Sequence, residues 1–306
     1  MVMKVSEIPY KRYTIEEGRA AFSAFKASVA AAKSADEVIA ARKAFLDEWR
    51  NYTEAASLSN CRFTLDTRSE FYQGEVAYYD ENGPLFSQLM TEYGDMMLAS
   101  PFRAELEAAL GSRRFAFYEL AKKTFSEKII EDMQKENAVS TEYSKFMSEL
   151  VFDFDGQKMP LSVLRGKLED ADRETRRKAA FAIGEGLKAV GPQLDDFYDR
   201  LVKIRDTMAK KMGYKDFIEL GYYRMGRVDY NEKMVAGFRE NVRKYLVPCV
   251  TKLKKEIADD LGLDRVTFYD DAVYVKGEIP RPMLDKAGIF DEAQKMYDDM
   301  SSDIGA

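Results

Sequence analysis

Apolar residues recur every three to four positions along Leu194, Phe197, Leu201, Ile204 and Met208. They recur again, over a longer reach, along Met234, Phe238, Val242, Tyr245, Cys249, Leu253, Ile257 and Leu261. That spacing puts each set on one face of an α-helix, and stripes of this kind are expected to pack into a core. Between them lies a compact insert, Met212 to Tyr230, rich in Gly, Tyr and Arg. Gly213 suits the end of the first helix, and Asp229-Tyr-Asn-Glu232 suits the start of the second. Pro248 sits inside the second stripe and predicts a kink there.

The same reasoning extends along the chain. Thr14 with Glu17, and Ser34 with Glu37, form capping boxes that open two helices. Asn60 to Thr67 interrupts the second, and Asp80-Glu-Asn-Gly-Pro84 predicts a break in the next. Ser100-Pro101 starts another helix and Gly111 closes it, with further helices over about 112–124 and 126–148. Asp170 is the expected cap of the helix that ends before Gly191-Pro192. Val151 to Pro160 alternates about Asp155-Gly156, a hairpin turn signal. Val266 to Val275 alternates about Asp270-Asp271 and predicts a second hairpin. Pro280 and Pro282 mark a loop before a last helix over about 289–300. The expected fold is mainly α, a multi-helix array with one or two short β-hairpins near 151–160 and 265–275. With 306 residues, two parts are expected: an N-terminal helical domain, 1–150, and a helical segment, 151–306.

The chain contains no histidine. An imidazole base, a Ser-His-Asp site and a His-Glu-x-x-His zinc site are therefore excluded within it. Cys61 and Cys249 are too few for a thiolate zinc site and imply no disulfide framework, so buried thiols in a cytoplasmic protein are expected. The net charge is −6 and the basic residues are interspersed with acids, which argues against nucleic acid. No apolar run approaches the roughly 18 residues of a membrane span.

Three groups of residues are candidates for chemistry. Asp195, Asp196 and Asp199 open a helix, as a carboxylate metal patch or as acids that suit its dipole. Asp66, Glu70 and Glu75 lie near Tyr72, Tyr78 and Tyr79, as an acid/base pair or as caps and ion pairs. In the insert, Tyr222, Tyr223, Arg224, Arg227 and Tyr230 combine planar cationic forks with phenols suited to peptide groups, and they are the candidate substrate-binding residues. The same arginines could instead bond free carbonyls and acids at the helix ends.

The run from Ala209-Lys-Lys-Met-Gly-Tyr-Lys-Asp-Phe through Arg224-Met-Gly-Arg-Val-Asp-Tyr230 resembles the oligoendopeptidase F family, zinc metallopeptidases of the thimet oligopeptidase superfamily. Ile8-Pro-Tyr10, Asp66-Thr-Arg-Ser-Glu-Phe-Tyr72 with Glu75, Phe154-Asp-Gly156 and Asp172-Arg-Glu-Thr-Arg176 match in the same order. The resemblance implies an almost wholly α-helical protein whose two halves enclose a channel. It also implies one zinc, held by a His-Glu-x-x-His helix and a downstream Glu, that hydrolyses short peptides. None of those ligands is in this sequence. The expectation is the N-terminal part of such an enzyme, with no catalytic residue, no metal ligand and no bound zinc of its own. Its partners would be the missing C-terminal catalytic half and, in the full-length enzyme, a short peptide. The alternative is a free-standing, non-catalytic helical binding or scaffold protein derived from a peptidase. A part separated from its other half should expose apolar surface near its C-terminal third.

Overall fold

The computed structural model describes residues 7–276 and 283–305. Pro280 and Pro282 lie outside them. The described chain is mainly α-helical, with one small antiparallel sheet. It divides into two compact units, Met1–Leu150 with Ala189–Val242, and Val151–Lys188 with Arg243–Ala306.

In the first unit, α1 (Ile15–Ala31) opens on the expected capping box. The Glu17 amide donates to Thr14 Oγ1 and the Thr14 amide to Glu17 Oε2. Ser34 caps α2 (Ala35–Leu65), which runs through the interruption expected at Asn60. Its buried face continues through Leu58, Ser59 and Phe63, and the Ser59 and Thr64 hydroxyls bond back to Ala56 and Cys61 carbonyls within the helix. The chain turns only at Asp66.

The break expected at Pro84 is also absent: α3 is continuous over Glu70–Leu98. Proline has no N–H to offer the carbonyl of Asp80 four residues back. The next helices are α4 (Arg103–Leu110), α5 (Ser112–Thr124) and α6 (Ile130–Glu149), and α6 supplies the missing donor. Asn137 Nδ2 donates to the Asp80 carbonyl at 3.0 Å and Gln134 Nε2 to the Glu81 carbonyl at 2.7 Å. Helices α1, α2 and α3 share an aromatic core of Phe22, Phe25, Phe45, Trp49, Phe86 and Tyr93.

In the second unit, β1 (Val151–Phe154) pairs with β2 (Gln157–Pro160), Phe154 facing Gln157. Asp155 and Gly156 both have positive φ, 49° and 79°, as a tight hairpin turn requires. Then come α7 (Leu161–Gly166) and α8 (Arg173–Ala189). Asp172, not Asp170, caps α8, accepting from the Thr175 amide at 2.8 Å.

Helices α9 (Gly191–Lys211), α10 (Phe217–Arg224) and α11 (Glu232–Asn241) return to the first unit. A π-helical turn, Val242–Leu246, precedes α12 (Val247–Leu261), so the kink expected at Pro248 takes the form of a widened turn just ahead of it. Gly262, with φ 69°, ends α12. The last helices are α13 (Lys286–Met300) and α14 (Ser302–Gly305).

The second hairpin does not form. Residues 264–276 fold as turns around Asp270, which is fully buried. Thr267 donates to its carboxylate through both amide and hydroxyl, at 3.0 and 2.6 Å. Alternation placed Asp270 at an exposed tip. The side chain instead turns inward to meet Arg173 and Arg176.

Candidate functional site

Gly213, with φ 87°, ends α9, and Asp216 then caps α10 by accepting from the Ile218 amide. Leu220 is fully buried beside Met208, Ala209 and Ile129, which fixes α10 against α9. Gly226, with φ 70°, lets the chain leave α10. Asn231, rather than Asp229, caps α11. Asp229 pairs with Arg113 at 3.4 Å.

The five candidate substrate residues separate into two groups. Arg224 and Arg205 each donate to the buried Glu136 of α6 at 2.7 Å, one to each carboxylate oxygen. Both guanidinium groups also lie over Phe217, at 5.7 and 5.9 Å. Arg224 therefore ties α10 to α6. Tyr223 donates to Glu219 at 2.9 Å, a bond that raises the phenol pKa, and its ring faces the Lys123 ammonium at 4.9 Å. Next to these two residues, a cleft of about 330 Å³ is lined by Phe117, Met133 and Gly226 among others.

Tyr222, Arg227 and Tyr230 form the second group. The Arg227 guanidinium sits 4.4 Å from the Tyr222 ring and 5.2 Å from that of Tyr230. Its side chain hydrogen-bonds to none of the described residues, although those of Arg224 and Arg205 are both engaged.

Of the other candidates, Asp66, Glu75, Asp196 and Asp199 form ion pairs, whereas Asp195 and Glu70 form none among the described residues. Asp196 meets Arg200 at 3.3 Å and Asp199 meets Lys203 at 2.5 Å, one helical turn on and exposed. Glu75 is buried and receives Arg12 through two nitrogens and Tyr10 through its hydroxyl. The Arg12 bonds hold the Glu75 carboxyl below its usual pKa. The pair anchors the extended N-terminal segment. Among the described residues, no three His, Cys, Asp or Glu side chains come together to hold a metal ion. The residues present do not make up the zinc donor set that the resemblance implies.

Sequence reasoning missed the buried acids of α6. Asp132 and Glu136 are one turn apart and were not singled out, yet they are buried and receive Lys211, Arg205 and Arg224. Only their i, i+4 spacing hinted at a shared face.

The apolar stripe of α11 and α12, expected in a core, faces solvent. No residue from 232 through 256 is buried, and Met234, Phe238, Tyr245 and Leu253 are more than half exposed. Cys249, expected to be buried, is exposed with this stripe. In α13, Phe290 and Met300 are exposed too. The C-terminal third thus carries the expected apolar surface. Among the described residues, no helix is long and apolar enough to cross a membrane.

Residues 5–125 match the family model of the peptidase M3 N-terminal domain, and residues 167–287 match that of peptidase family M3. The chain belongs to the peptidase M3 family. Along 99% of its length this M3 chain is similar to a solved PZ peptidase A with inhibitor 2, at 35% identity and a TM-score of 0.93. It is likewise similar to a solved putative oligoendopeptidase F, at 36% and 0.94. A putative oligoendopeptidase F from Bacillus anthracis str. Ames gives 32% and 0.92. The chain covers 54%, 54% and 56% of those chains respectively, so it spans little more than half the length of these solved structures. No curated protein matches it.

Proposed function

We propose that this chain is the N-terminal helical part of a zinc-dependent oligopeptidase that hydrolyses short peptides, and that alone it is not catalytic. One observation carries the reading. The chain aligns along 99% of its length with peptidases of which it covers little more than half, and it contains no histidine. Metal and general base would then come from a catalytic half, for which the exposed apolar faces of α12 and α13 offer a seat. The free thiols Cys61 and Cys249 support a cytoplasmic location.

The test is hydrolysis of a quenched fluorescent peptide of five to ten residues. The pure chain should give no turnover. Adding the remaining length of a relative should bring activity that a chelator abolishes. Chelator-sensitive turnover by the pure chain alone would overturn the proposal.

A further inference from the structure

We infer that Tyr222, Arg227 and Tyr230 form a capture site for the carboxylate of a short peptide, with Arg227 as the binding fork. The inference rests on the peptide-hydrolase reading above and names a contact for that substrate.

Arg227 is cationic, and its guanidinium hydrogen-bonds to none of the described residues. Two acids close to it in the chain, and the carboxylate that holds Arg224, are engaged elsewhere. Asp229 pairs with Arg113, Glu219 accepts from Tyr223, and Glu136 accepts from Arg205 and Arg224. The guanidinium is not loose, however. The rings of Tyr222 and Tyr230, at 4.4 and 5.2 Å, hold it, and Gly226 and the backbone bond from the Arg227 amide to the Tyr222 carbonyl fix the turn beneath. Ring contact fixes a guanidinium while leaving its N–H donors free. Two parallel N–H donors match a carboxylate. The hydroxyls of Tyr222 and Tyr230 make no hydrogen bond among the described residues and can add donors or acceptors. A fork already oriented loses less entropy on binding than a free side chain does.

The probe is trialanine, with its C-terminal amide and inorganic phosphate as controls, titrated into the full chain. Calorimetry gives affinity, and the Arg227 Nε–H resonance reports engagement. The acid form should bind about tenfold more tightly than the amide, as expected for a hydrogen-bonded charge pair, and should shift the Arg227 resonance. R227Q should bind acid and amide alike, and R227K should keep only part of the preference, because an ammonium has no fork. Equal binding of acid and amide by the unaltered chain, no binding of either, or phosphate binding as tight as the acid peptide would each overturn the site. So would an unmoved Arg227 resonance, which needs no folded variant. Acid preference that R227Q abolishes, in a chain that gives no hydrolysis even with the remaining length of a relative added, would sink the peptidase reading and keep this one.

Discussion

Arg176, almost wholly buried, donates at 2.9 Å to the carboxylate of Asp270, which is fully buried. Arg173 reaches the same carboxylate from the side with two donors at 3.0 Å. The second unit is thus tied together by one acid, 94 and 97 residues from its two cationic partners. D270A should destabilise that unit by about 3–5 kcal/mol, because it leaves Arg176 buried without a counter-charge. Urea unfolding followed by circular dichroism, with tryptophan fluorescence from Trp49 reporting on the first unit, measures this. A loss under about 1 kcal/mol would mean that Arg176 finds other acceptors.

The same carboxylate sets an acid limit. Burial alone would raise its pKa, but bonds from Arg173, Thr267 and Arg176 outweigh burial and hold it far below the usual carboxylate range. A depressed folded-state pKa gives stability that is fully present above the unfolded value of about 3.9. It is lost as pH falls from there toward the folded value. The second unit should therefore lose stability progressively below about pH 4, and D270N should flatten that part of the profile.

Glu136 holds two arginines from separate elements. E136A leaves both without their acceptor and should cost about 1–3 kcal/mol. E136Q keeps an acceptor oxygen and should cost less. A thermal melt of each variant distinguishes them.

Pro84 and Asn137 should be energetically coupled. N137A leaves the Asp80 carbonyl unpaired and should cost about 1 kcal/mol. In a P84A background the restored N–H can serve that carbonyl, so the same change should cost less. A double-mutant cycle reads the difference. Full additivity would show that the Asn137 bond does not compensate for the proline.

Two glycines of α8 should respond oppositely to alanine. A Cβ on Gly186 would fall 2.3 Å from Phe152 Cδ1, and Phe152 is buried, so G186A should destabilise by about 1–3 kcal/mol. Gly184 has nothing within 4 Å, so G184A should stabilise by about 0.5–1 kcal/mol through helix propensity. Denaturant midpoints of the two variants give the comparison.

What was legible in the sequence was the part fixed by near neighbours. Thr14 and Glu17 cap as read, and Asp155-Gly156 turns as read, because the partners lie within a few residues. The second hairpin was not legible, because the burial of Asp270 depends on arginines of α8. The stripe along α11 and α12 is helical as its period requires. Period alone says which residues share a face, not whether anything covers it. In the insert, the residue types drew attention to Tyr222, Tyr223, Arg224, Arg227 and Tyr230 together. Only distances separate Arg224, which is bonded to Glu136, from Arg227, which is held between rings.

Helix α3 depends on donors that come much later in the chain: Asn137 is 57 residues beyond the Asp80 carbonyl it serves. During synthesis, Pro84 emerges well before that donor does. Until α6 has formed and docked, the middle of α3 has carbonyls open to water and a proline favouring a bend. The hydrogen bonding of α3 is therefore completed only after α6 is made. A nascent chain stalled before residue 134 is expected to show less helix protection around Asp80 than the finished protein, because the Asp80 carbonyl then has only water to bond.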